Sequence, residues 1–350
     1  MILWFLLLQG LALGPGVLTD GTVIKPVRSA GPFDEDHSPP LVPIPRLEEK
    51  VAIITGGAGG IGSAAAKLFA SHGAYVIIAD KNDTAGEKVV QQIGGRVLFK
   101  HCDVSKEADV ALTVNYALEK FGKLDILFNN AGVASPLQTF QGLNMDDYDR
   151  CTAVNVRGIV LGIKHAARVM VPRRTGIILN TASIASVATG GTIKLIYNMN
   201  KANIPGITKV AAYHLGKHGI RVNCISPAGL ATEMVVDWHK KFVQENIDRH
   251  TLEKAFLRCS PLNGRICTTE DIAKGALYLC SDESGYISGQ NLIIDAGYTN
   301  IVDYDPMELR KKLKSASNSD SGSLSSATAN TAESGNRDHQ CFNPVVISKL

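Results

Sequence analysis

Seven short apolar runs alternate with longer stretches of helical character between residues 46 and 301, and this alternation constrains the fold more than any other feature. The runs are rich in β-branched residues and are bounded by Gly, Asp or Asn, which is typical of strands buried on both faces of a parallel sheet. Strands that alternate with helices predict an α/β fold: a doubly wound, mostly parallel seven-stranded sheet with helices on both faces, in a single domain. The predicted strands are Val51 to Ile54, Tyr75 to Ala79, Val97 to Phe99, Ile126 to Phe128, Ile177 to Leu179, Val222 to Ile225 and Leu292 to Ile294.

The two ends of the chain lack this alternation. Residues 2 to 13 are apolar except for Gln9 and Gly10, and residues 14 to 45 carry Gly, Pro and Asp without periodicity. Residues 1 to 45 are therefore predicted to be an apolar segment followed by a proline-rich linker. Ser, Ala, Asn and Thr dominate residues 315 to 332, so residues 302 to 350 are predicted to form a disordered Ser-rich tail. The folded domain is expected to span residues 46 to 301.

The apolar N-terminal segment bears on the location of the protein. It is too short to span a bilayer as a helix, and no Lys or Arg precedes Lys25, so the charged start of a signal peptide is missing. We expect a cytoplasmic protein with no membrane span; the alternative is that the segment acts as a signal or anchor. The seven cysteines form no C-x-x-C pair and no metal-ligand spacing, which predicts free thiols and no metal site: Cys102, Cys151, Cys224, Cys259, Cys267, Cys280 and Cys341.

The charge pattern bears on the kind of partner. The formal net charge is only +3, from 36 basic and 33 acidic residues that are interspersed through the middle of the chain. Such a pattern does not favour an extended nucleic-acid or membrane-surface footprint. A small molecule is the expected partner.

A glycine-rich turn directly follows the first predicted strand. It reads TGGAGGIG over residues 55 to 62, and helical character follows from Ser63 to Ser71. Glycines here let the backbone approach a pyrophosphate, which then lies against the positive end of the helix. The turn alone could be an ordinary strand-to-helix connection. Asp80 ends the next strand, where a carboxylate can accept both ribose hydroxyls, and the two features together predict a dinucleotide site.

Asp80 also bears on which dinucleotide is bound. Its carboxylate would repel the 2′-phosphate of NADP, and Gly59 offers no basic group to offset that repulsion. NAD is the expected cofactor and NADP the less favoured one. Lys81 argues the other way, because its ammonium could reach a phosphate, although a Lys beside an Asp is more often solvated.

Tyr197 and Lys201 are candidates for proton transfer. They stand four residues apart, so both side chains emerge from one face of a helix. A free phenol has a pKa of about 10, and a nearby ammonium together with a cationic nicotinamide would favour the phenolate. Tyr197 could then accept the proton of an alcohol while hydride leaves the same carbon. Ser183, just after the fifth strand, could bind the reacting oxygen.

These motifs occur in an order that resembles the short-chain dehydrogenase/reductase family over about residues 46 to 301. Within the family, the chain looks most like the plant branch that contains secoisolariciresinol dehydrogenase, xanthoxin dehydrogenase and momilactone synthase. The family resemblance rests on the glycine turn, Asp103-Val104, Asn129 to Gly132, Asn155, Ser183, Tyr197 with Lys201, and Pro227 with Thr232. The narrower resemblance rests on residues 164 to 170, 219 to 224, 226 to 232 and 286 to 289.

The resemblance implies a Rossmann domain and assigns roles to individual residues. It implies that Asn155 supports a water that links Lys201 to solvent, and that Thr232 contacts the nicotinamide carboxamide. Each of the weaker positions has an alternative: Asn130 and Gly132 could merely shape a turn, and Val104 could be core. The implied catalytic set is Asn155, Ser183, Tyr197 and Lys201, and the implied cofactor-binding set is Gly56, Gly60, Ile61, Gly62, Asp80, Asp103, Val104, Asn130, Ala131, Gly132, Tyr197, Lys201 and Thr232.

The helix of the catalytic pair departs from the family pattern. Pro205 cannot donate to the carbonyl of Lys201 and crowds it, which predicts a kink, and Met199 and Asn200 replace small residues. These departures motivate an alternative to an enzyme, namely a nucleotide-binding scaffold or regulatory protein with weakened catalysis.

The expected function is NAD-dependent interconversion of a secondary alcohol and a ketone on an apolar terpenoid, steroid-like or phenolic metabolite. Residues 230 to 262 are expected to form a lid over the substrate. Trp238, Phe242 and Phe256 would line an apolar pocket or pack the lid against the body. In many relatives the catalytic helix contributes to a dimer interface, so a homodimer or homotetramer is expected.

Overall fold

Seven strands and nine α-helices occur in the part of the chain that the computed structural model describes, which is residues 45 to 188, 194 to 243 and 247 to 300. The predictions for residues 1 to 44 and 302 to 350 lie outside it. The strands are β1 Val51–Thr55, β2 Tyr75–Asp80, β3 Val97–His101, β4 Ile126–Asn129, β5 Gly176–Thr181, β6 Ile220–Pro227 and β7 Asn291–Ile294. The helices are α1 Gly60–Ser71, α2 Asp83–Ile93, α3 Glu107–Phe121, α4 Met145–Thr152, α5 Gly158–Arg173, α6 Leu195–Gly216, α7 Glu233–Phe242, α8 Arg249–Cys259 and α9 Thr269–Cys280.

The strands form one sheet in the order β3-β2-β1-β4-β5-β6-β7, and every neighbouring pair is parallel. This confirms the predicted doubly wound, seven-stranded Rossmann fold in a single domain. Strands β2 and β3 are added on one side of β1 and strands β4 to β7 on the other, so the strand order reverses between β1 and β4, where Ile54 pairs with Phe128. Ligands of such sheets bind in the crevice at the carboxyl ends of the strands beside this reversal.

Helices cover both faces of the sheet, because each strand presents alternate side chains to opposite sides. Ala52 and Ile54 of β1 belong to the apolar cluster that includes Phe69 of α1 and residues of α9. Ile53 belongs to the opposite cluster with α3 and α5, as does Val114. Each large side chain that is fully buried in this way stabilises the fold by about 1.5–3 kcal/mol.

Helix α1 begins at Gly60, three residues before the predicted start at Ser63. Glycine has a low helix propensity, so the sequence pattern placed the start too late. Packing overrides that propensity: a Cβ on Gly62 would lie 2.2 Å from the carbonyl oxygen of Gly56, so only a glycine lets the first helical turn pack against the loop.

Helix α6 continues from Leu195 to Gly216 with Pro205 inside it. Pro205 therefore does not end the helix, although it cannot donate a hydrogen bond to the carbonyl of Lys201; the kink at this position stays a prediction. Its neighbours Ile204 and Thr208 are fully buried, and this packing holds the helix together through the proline.

Five of the described cysteines are free thiols, whereas Cys259 is disulfide-bonded. The expectation of free thiols throughout is therefore wrong at Cys259, because the lack of a C-x-x-C pair does not exclude a disulfide. Of the helices in the described ranges, none has the length and apolar character needed to cross a membrane.

Candidate active site

The glycine turn between β1 and α1 brings the first strand and the loop after β4 into close contact. Gly56 adopts φ +63°, which favours glycine, and a Cβ there would lie 2.8 Å from the Cα of Ala131. Gly59, at the start of α1, has open space where a Cβ would be. Ile61 follows in the first turn of α1 and packs against the core. The turn thus leaves a bare backbone surface at the N-terminus of a helix.

Asp80 lies at the end of β2, directly beside this turn. Its carboxylate accepts the N–H of Ala58 at 3.1 Å and the N–H of Asn82 at 3.0 Å. The carboxylate is therefore held at the carboxyl edge of the sheet next to the glycine turn, as the sequence predicted.

Asn130 ties the turn to the neighbouring strands. Its amide nitrogen donates to the carbonyls of Thr55 and Gly56 at 3.1 and 3.2 Å, and its amide oxygen accepts from the hydroxyl of Thr181. The hydroxyl of Thr55 accepts the N–H groups of Asn130 and Ala131. Asn130 thus shapes the rim of the crevice, which is the turn-forming role that the sequence left open for it.

Thr232 reaches the glycine turn from the other end of the chain. It precedes α7, and a Cβ on Gly60 would lie 3.3 Å from its methyl carbon. The segment after β6 therefore covers the start of α1.

Asp103 and Val104 lie after β3 but differ from each other in their surroundings. The Asp103 carboxylate accepts the N–H and the hydroxyl of Ser105. Burial raises the pKa of Asp103, but these hydrogen bonds outweigh it and hold the pKa below its usual range. Val104 is buried against Gly158 of α5, so its side chain belongs to the core.

Ser183 and Tyr197 meet at the carboxyl end of β5. Ser183 has an extended backbone and precedes the short helical turn Ile184–Ser186, while Tyr197 lies in the first turn of α6. A hydrogen bond joins the two side chains. Burial raises the pKa of Tyr197, and the bond to Ser183 lowers it by less. The protein groups by themselves therefore raise the pKa of Tyr197, and the expected depression, which depends also on a cationic nicotinamide, stays a prediction.

Lys201 lies one helical turn after Tyr197 and is only 2% exposed. Its ammonium donates to the carbonyl of Thr181 at 2.7 Å and lies 5.7 Å from the centre of the Tyr197 ring. A Cβ on Gly132 would lie 3.8 Å from the same nitrogen. Burial lowers the pKa of Lys201 to about 8, so its charge changes around that pH.

Asn155 is fully buried in the π-helical segment Ala153–Arg157 that joins α4 to α5. Its amide oxygen accepts the N–H of Val133 at 2.8 Å, and its amide nitrogen donates to the carbonyl of Val133 at 2.9 Å. These two bonds fix the loop that carries Gly132 beside Lys201. π-helical turns inside α-helices are frequent at functional sites.

Ser135 is a site residue that the sequence analysis missed. It is fully buried; its hydroxyl accepts the N–H of Tyr197 at 3.2 Å, and its carbonyl accepts the indole N–H of Trp238 at 2.7 Å. Ser135 thereby joins three segments: the loop after β4, the start of α6, and α7. The only sequence signal is the Ser135-Pro136 pair, which marks a turn and no chemistry.

The aromatic residues of the predicted lid mainly pack it against the body. Trp238 is 7% exposed, with the Phe242 ring 5.9 Å away, and Phe256 packs with Val236 of α7. In the described ranges, no group of three His, Cys, Asp or Glu side chains could hold a metal ion.

A family model described as enoyl-(acyl carrier protein) reductase matches residues 56 to 299. The chain belongs to the short-chain dehydrogenase/reductase family. Borneol dehydrogenase, mitochondrial, of Lavandula x intermedia is 46% identical over 255 residues, which cover 72% of this chain and 91% of that protein. Momilactone A synthase of Oryza sativa subsp. japonica is 44% identical over 255 residues, which cover 72% of this chain and 90% of that protein.

A solved structure extends the likeness to a cofactor complex. The 3-ketoacyl-(acyl-carrier-protein) reductase from Brucella melitensis, complexed with NADH, superposes with a TM-score of 0.64 at 33% identity and covers 72% of this chain and 99% of that one. The predicted family and its plant branch are confirmed. This short-chain dehydrogenase/reductase is an oxidoreductase with a nicotinamide cofactor.

Proposed function

We propose that this short-chain dehydrogenase/reductase uses NAD to interconvert a secondary alcohol and a ketone on an apolar metabolite of terpenoid, steroid-like or phenolic type. The observation that carries the proposal is the hydrogen bond between Ser183 and Tyr197, with the buried ammonium of Lys201 beside it. This group lies at the same edge of the sheet as the glycine turn, where a dinucleotide can place its reactive ring.

The residues at that edge fit a dinucleotide. Cβ atoms on Gly56 and Gly62 would clash with backbone, so the cradle exists only because glycines form it. A pyrophosphate would bind the backbone from Gly56 to Gly62 at the start of α1. The rest of the proposed cofactor-binding set is Asp80, Asp103, Val104, Asn130, Ala131, Gly132, Tyr197, Lys201 and Thr232. When bound, NAD supplies the hydride acceptor.

Tyr197 is proposed as the acid and base. It takes the hydroxyl proton of the alcohol as hydride leaves the carbon, and it returns a proton to the carbonyl oxygen in the reverse direction. Because burial raises its pKa, the phenolate needs cationic groups nearby. Lys201 supplies one, and a cationic nicotinamide would act in the same direction.

Ser183 and Asn155 support this step in different ways. Ser183 would hold the reacting oxygen with its hydroxyl, which already binds Tyr197. Asn155 would position the loop around Gly132, and its remaining hydrogen-bonding capacity would support the water that links Lys201 to solvent. The substrate class is supported by the names of the relatives, a borneol dehydrogenase and a momilactone synthase.

Tyr197→Phe tests the proposal. It should lower kcat with NAD and a panel of cyclic secondary alcohols by about 10²- to 10⁴-fold, the usual contribution of general acid and base catalysis, while the Kd of NADH stays the same. Tyr213→Phe is the matched control, because Tyr213 lies on the same helix but is 83% exposed. Binding of NADH by the unmodified protein without turnover of any panel member would favour the scaffold alternative instead. The unbroken course of α6 through Pro205 supports the enzyme.

Location and assembly complete the proposal: a cytoplasmic homodimer or homotetramer. The five free thiols support a reducing compartment, whereas the disulfide at Cys259 argues against it. Fractionation of native cells tests the location, and recovery of the protein in mitochondria or in a secreted fraction would overturn it.

A further inference from the structure

Lys194 lies directly before α6, three residues ahead of Tyr197. Its backbone forms a parallel bridge with Gln138 in the loop after β4. Its ammonium lies 3.7 Å from the centre of the Trp238 ring, on helix α7. The tip of Lys194 is thus held where the loop after β4, the start of α6 and α7 converge.

This convergence lies beside the proposed proton-transfer group. The carbonyl of Ser135 holds the indole of Trp238, and the hydroxyl of Ser135 holds the backbone N–H of Tyr197. Lys194 stands three residues before Tyr197, so their backbones lie about one helical turn apart at the same end of α6.

The ammonium of Lys194 has no anionic partner in the part of the chain that the structure describes. None of the ion pairs there includes Lys194, and its nitrogen contacts the ring of Trp238 instead. Burial lowers the pKa of Lys194 to about 8. His239, also on α7, adds no negative charge; burial lowers its pKa, and the charge of Lys194 lowers it further.

An ammonium in this position destabilises the folded protein unless a ligand binds its remaining hydrogen-bond donors. Partly buried charges are normally paired, and a π face satisfies one side of an ammonium that has three donors. Lys241 provides a contrast on α7, the helix of Trp238. Its ammonium lies 5.2 Å from the Phe242 ring, but the residue is exposed and water can solvate it.

We propose that Lys194 binds a carboxylate of the substrate, carried on the same apolar skeleton as the carbinol that Tyr197 would deprotonate. The substrate class is then a cyclic hydroxy acid or the matching keto acid. The assignment deepens the proposed function and rests on it for the reacting end of the substrate.

A binding experiment tests the carboxylate site without any turnover. Cyclohexanecarboxylate and its neutral counterpart cyclohexanecarboxamide are titrated calorimetrically into the full chain saturated with NADH. The unmodified protein should bind the carboxylate about ten- to hundred-fold more tightly, as expected for a charge-assisted hydrogen bond. Lys194→Met should abolish this preference, Lys194→Arg should keep most of it, and Lys241→Met should leave it unchanged. Equal binding of the two probes by the unmodified protein overturns the proposal, even if Lys194→Met does not fold.

A kinetic experiment separates this inference from the proposed function. Two alcohols are compared: the hydroxy acid 4-hydroxycyclohexanecarboxylate and the neutral 4-methylcyclohexanol. For each variant the kcat/KM of the first is divided by the kcat/KM of the second. General damage to the active site lowers both values and cancels in this ratio. Lys194→Met should lower this ratio about ten- to hundred-fold. An equal loss for both substrates would show that Lys194 only fastens α7, and would overturn the proposal. Carboxylate-selective binding without turnover of either alcohol would overturn the proposed dehydrogenase activity and leave the carboxylate site in place.

Discussion

Asp80 is the residue on which the proposed preference for NAD depends. Two backbone N–H groups, of Ala58 and Asn82, hold its carboxylate at the carboxyl edge of β2. The nearest basic residue in sequence, Lys81, is exposed. A 2′-phosphate at this edge would therefore meet a fixed negative charge, whereas ribose hydroxyls would meet an acceptor.

Asp80→Ala should weaken NAD binding and relax discrimination against NADP. Loss of hydrogen bonds to a charged group corresponds to about a ten- to hundred-fold rise in the Kd of NAD. The check is a fluorescence titration of each reduced cofactor. Asp83→Ala is the control, because Asp83 is exposed and pairs with His101. Equal affinity of the unmodified protein for both cofactors would refute the NAD assignment.

Lys201 has a proposed catalytic role, and the burial of its charge lowers the stability of the folded state. Burial lowers its pKa from 10.5 to about 8, so below pH 8 the folded state holds a buried charge. Between pH 8 and 10.5 the unfolded chain keeps this proton and the folded chain releases it. Stability must then rise with pH across that window as far as Lys201 contributes.

Lys201→Met should remove this dependence on pH. Relative to the variant, the unmodified protein should gain about 3 kcal/mol of unfolding free energy between about pH 8 and about pH 10.5, since one pKa unit is worth about 1.4 kcal/mol. Lys194 titrates in the same window in both proteins and cancels in the difference. Urea unfolding at about pH 7, 8.5 and 10 measures it. A difference that stays constant with pH would contradict the assignment.

At the scale of elements, helix α6 carries the proposed proton-transfer residues and also an interrupted backbone hydrogen bond. Tyr197 and Lys201 lie in its first two turns, and Pro205 removes the N–H that would bind the carbonyl of Lys201. The buried residues Ile204 and Thr208 hold the helix on both sides of the proline. Tertiary packing thus maintains a helix that local propensity alone would interrupt.

Pro205→Ala should raise the free energy of unfolding by about 1–3 kcal/mol, because it restores a donor and removes a poor helix former. Gly206→Ala is the matched comparison: its Cβ would meet open space, and about 1 kcal/mol is expected from propensity alone. Urea unfolding of both variants checks the order. A larger gain from Gly206→Ala would mean that the proline is not the weak point.

At the scale of the whole molecule, the parallel order of the strands assembles the site. The motifs are spread from Gly56 to Thr232, yet they meet because the carboxyl ends of β1, β4, β5 and β6 share one edge.

Helices α5 and α6 also carry exposed apolar side chains: Val160, Val210 and Tyr213.

Exposed apolar side chains on α5 and α6 predict how copies would associate. Val210→Asp should lower the mass measured by sedimentation toward that of a single chain, because it places a charge in the proposed contact. Leu112→Asp on α3, where Leu112 is 55% exposed, is the control and should leave the mass unchanged. A single chain as the only species of the unmodified protein would refute the assembly.

The sequence by itself determined the sheet, the glycine turn and the candidate residues Asp80, Ser183, Tyr197 and Lys201. These features depend on local rules: the period of apolar residues, the conformational freedom of glycine, and the spacing of one helical turn. Strand ends and the start of α1 were less accurate, because packing extends elements beyond the range that propensity indicates.

Only the tertiary structure decided how those residues are supported and what surrounds them. Ser135 joins Tyr197 to Trp238 through contacts across 62 and 103 positions of sequence, and no local pattern marks such a residue. The raised pKa of Tyr197 and the lowered pKa of Lys201 follow from burial, which depends on the whole fold. The ammonium of Lys194 became a candidate for substrate binding for the same reason: the spatial arrangement of three distant segments decides whether a charge finds water, an anion or only an aromatic ring.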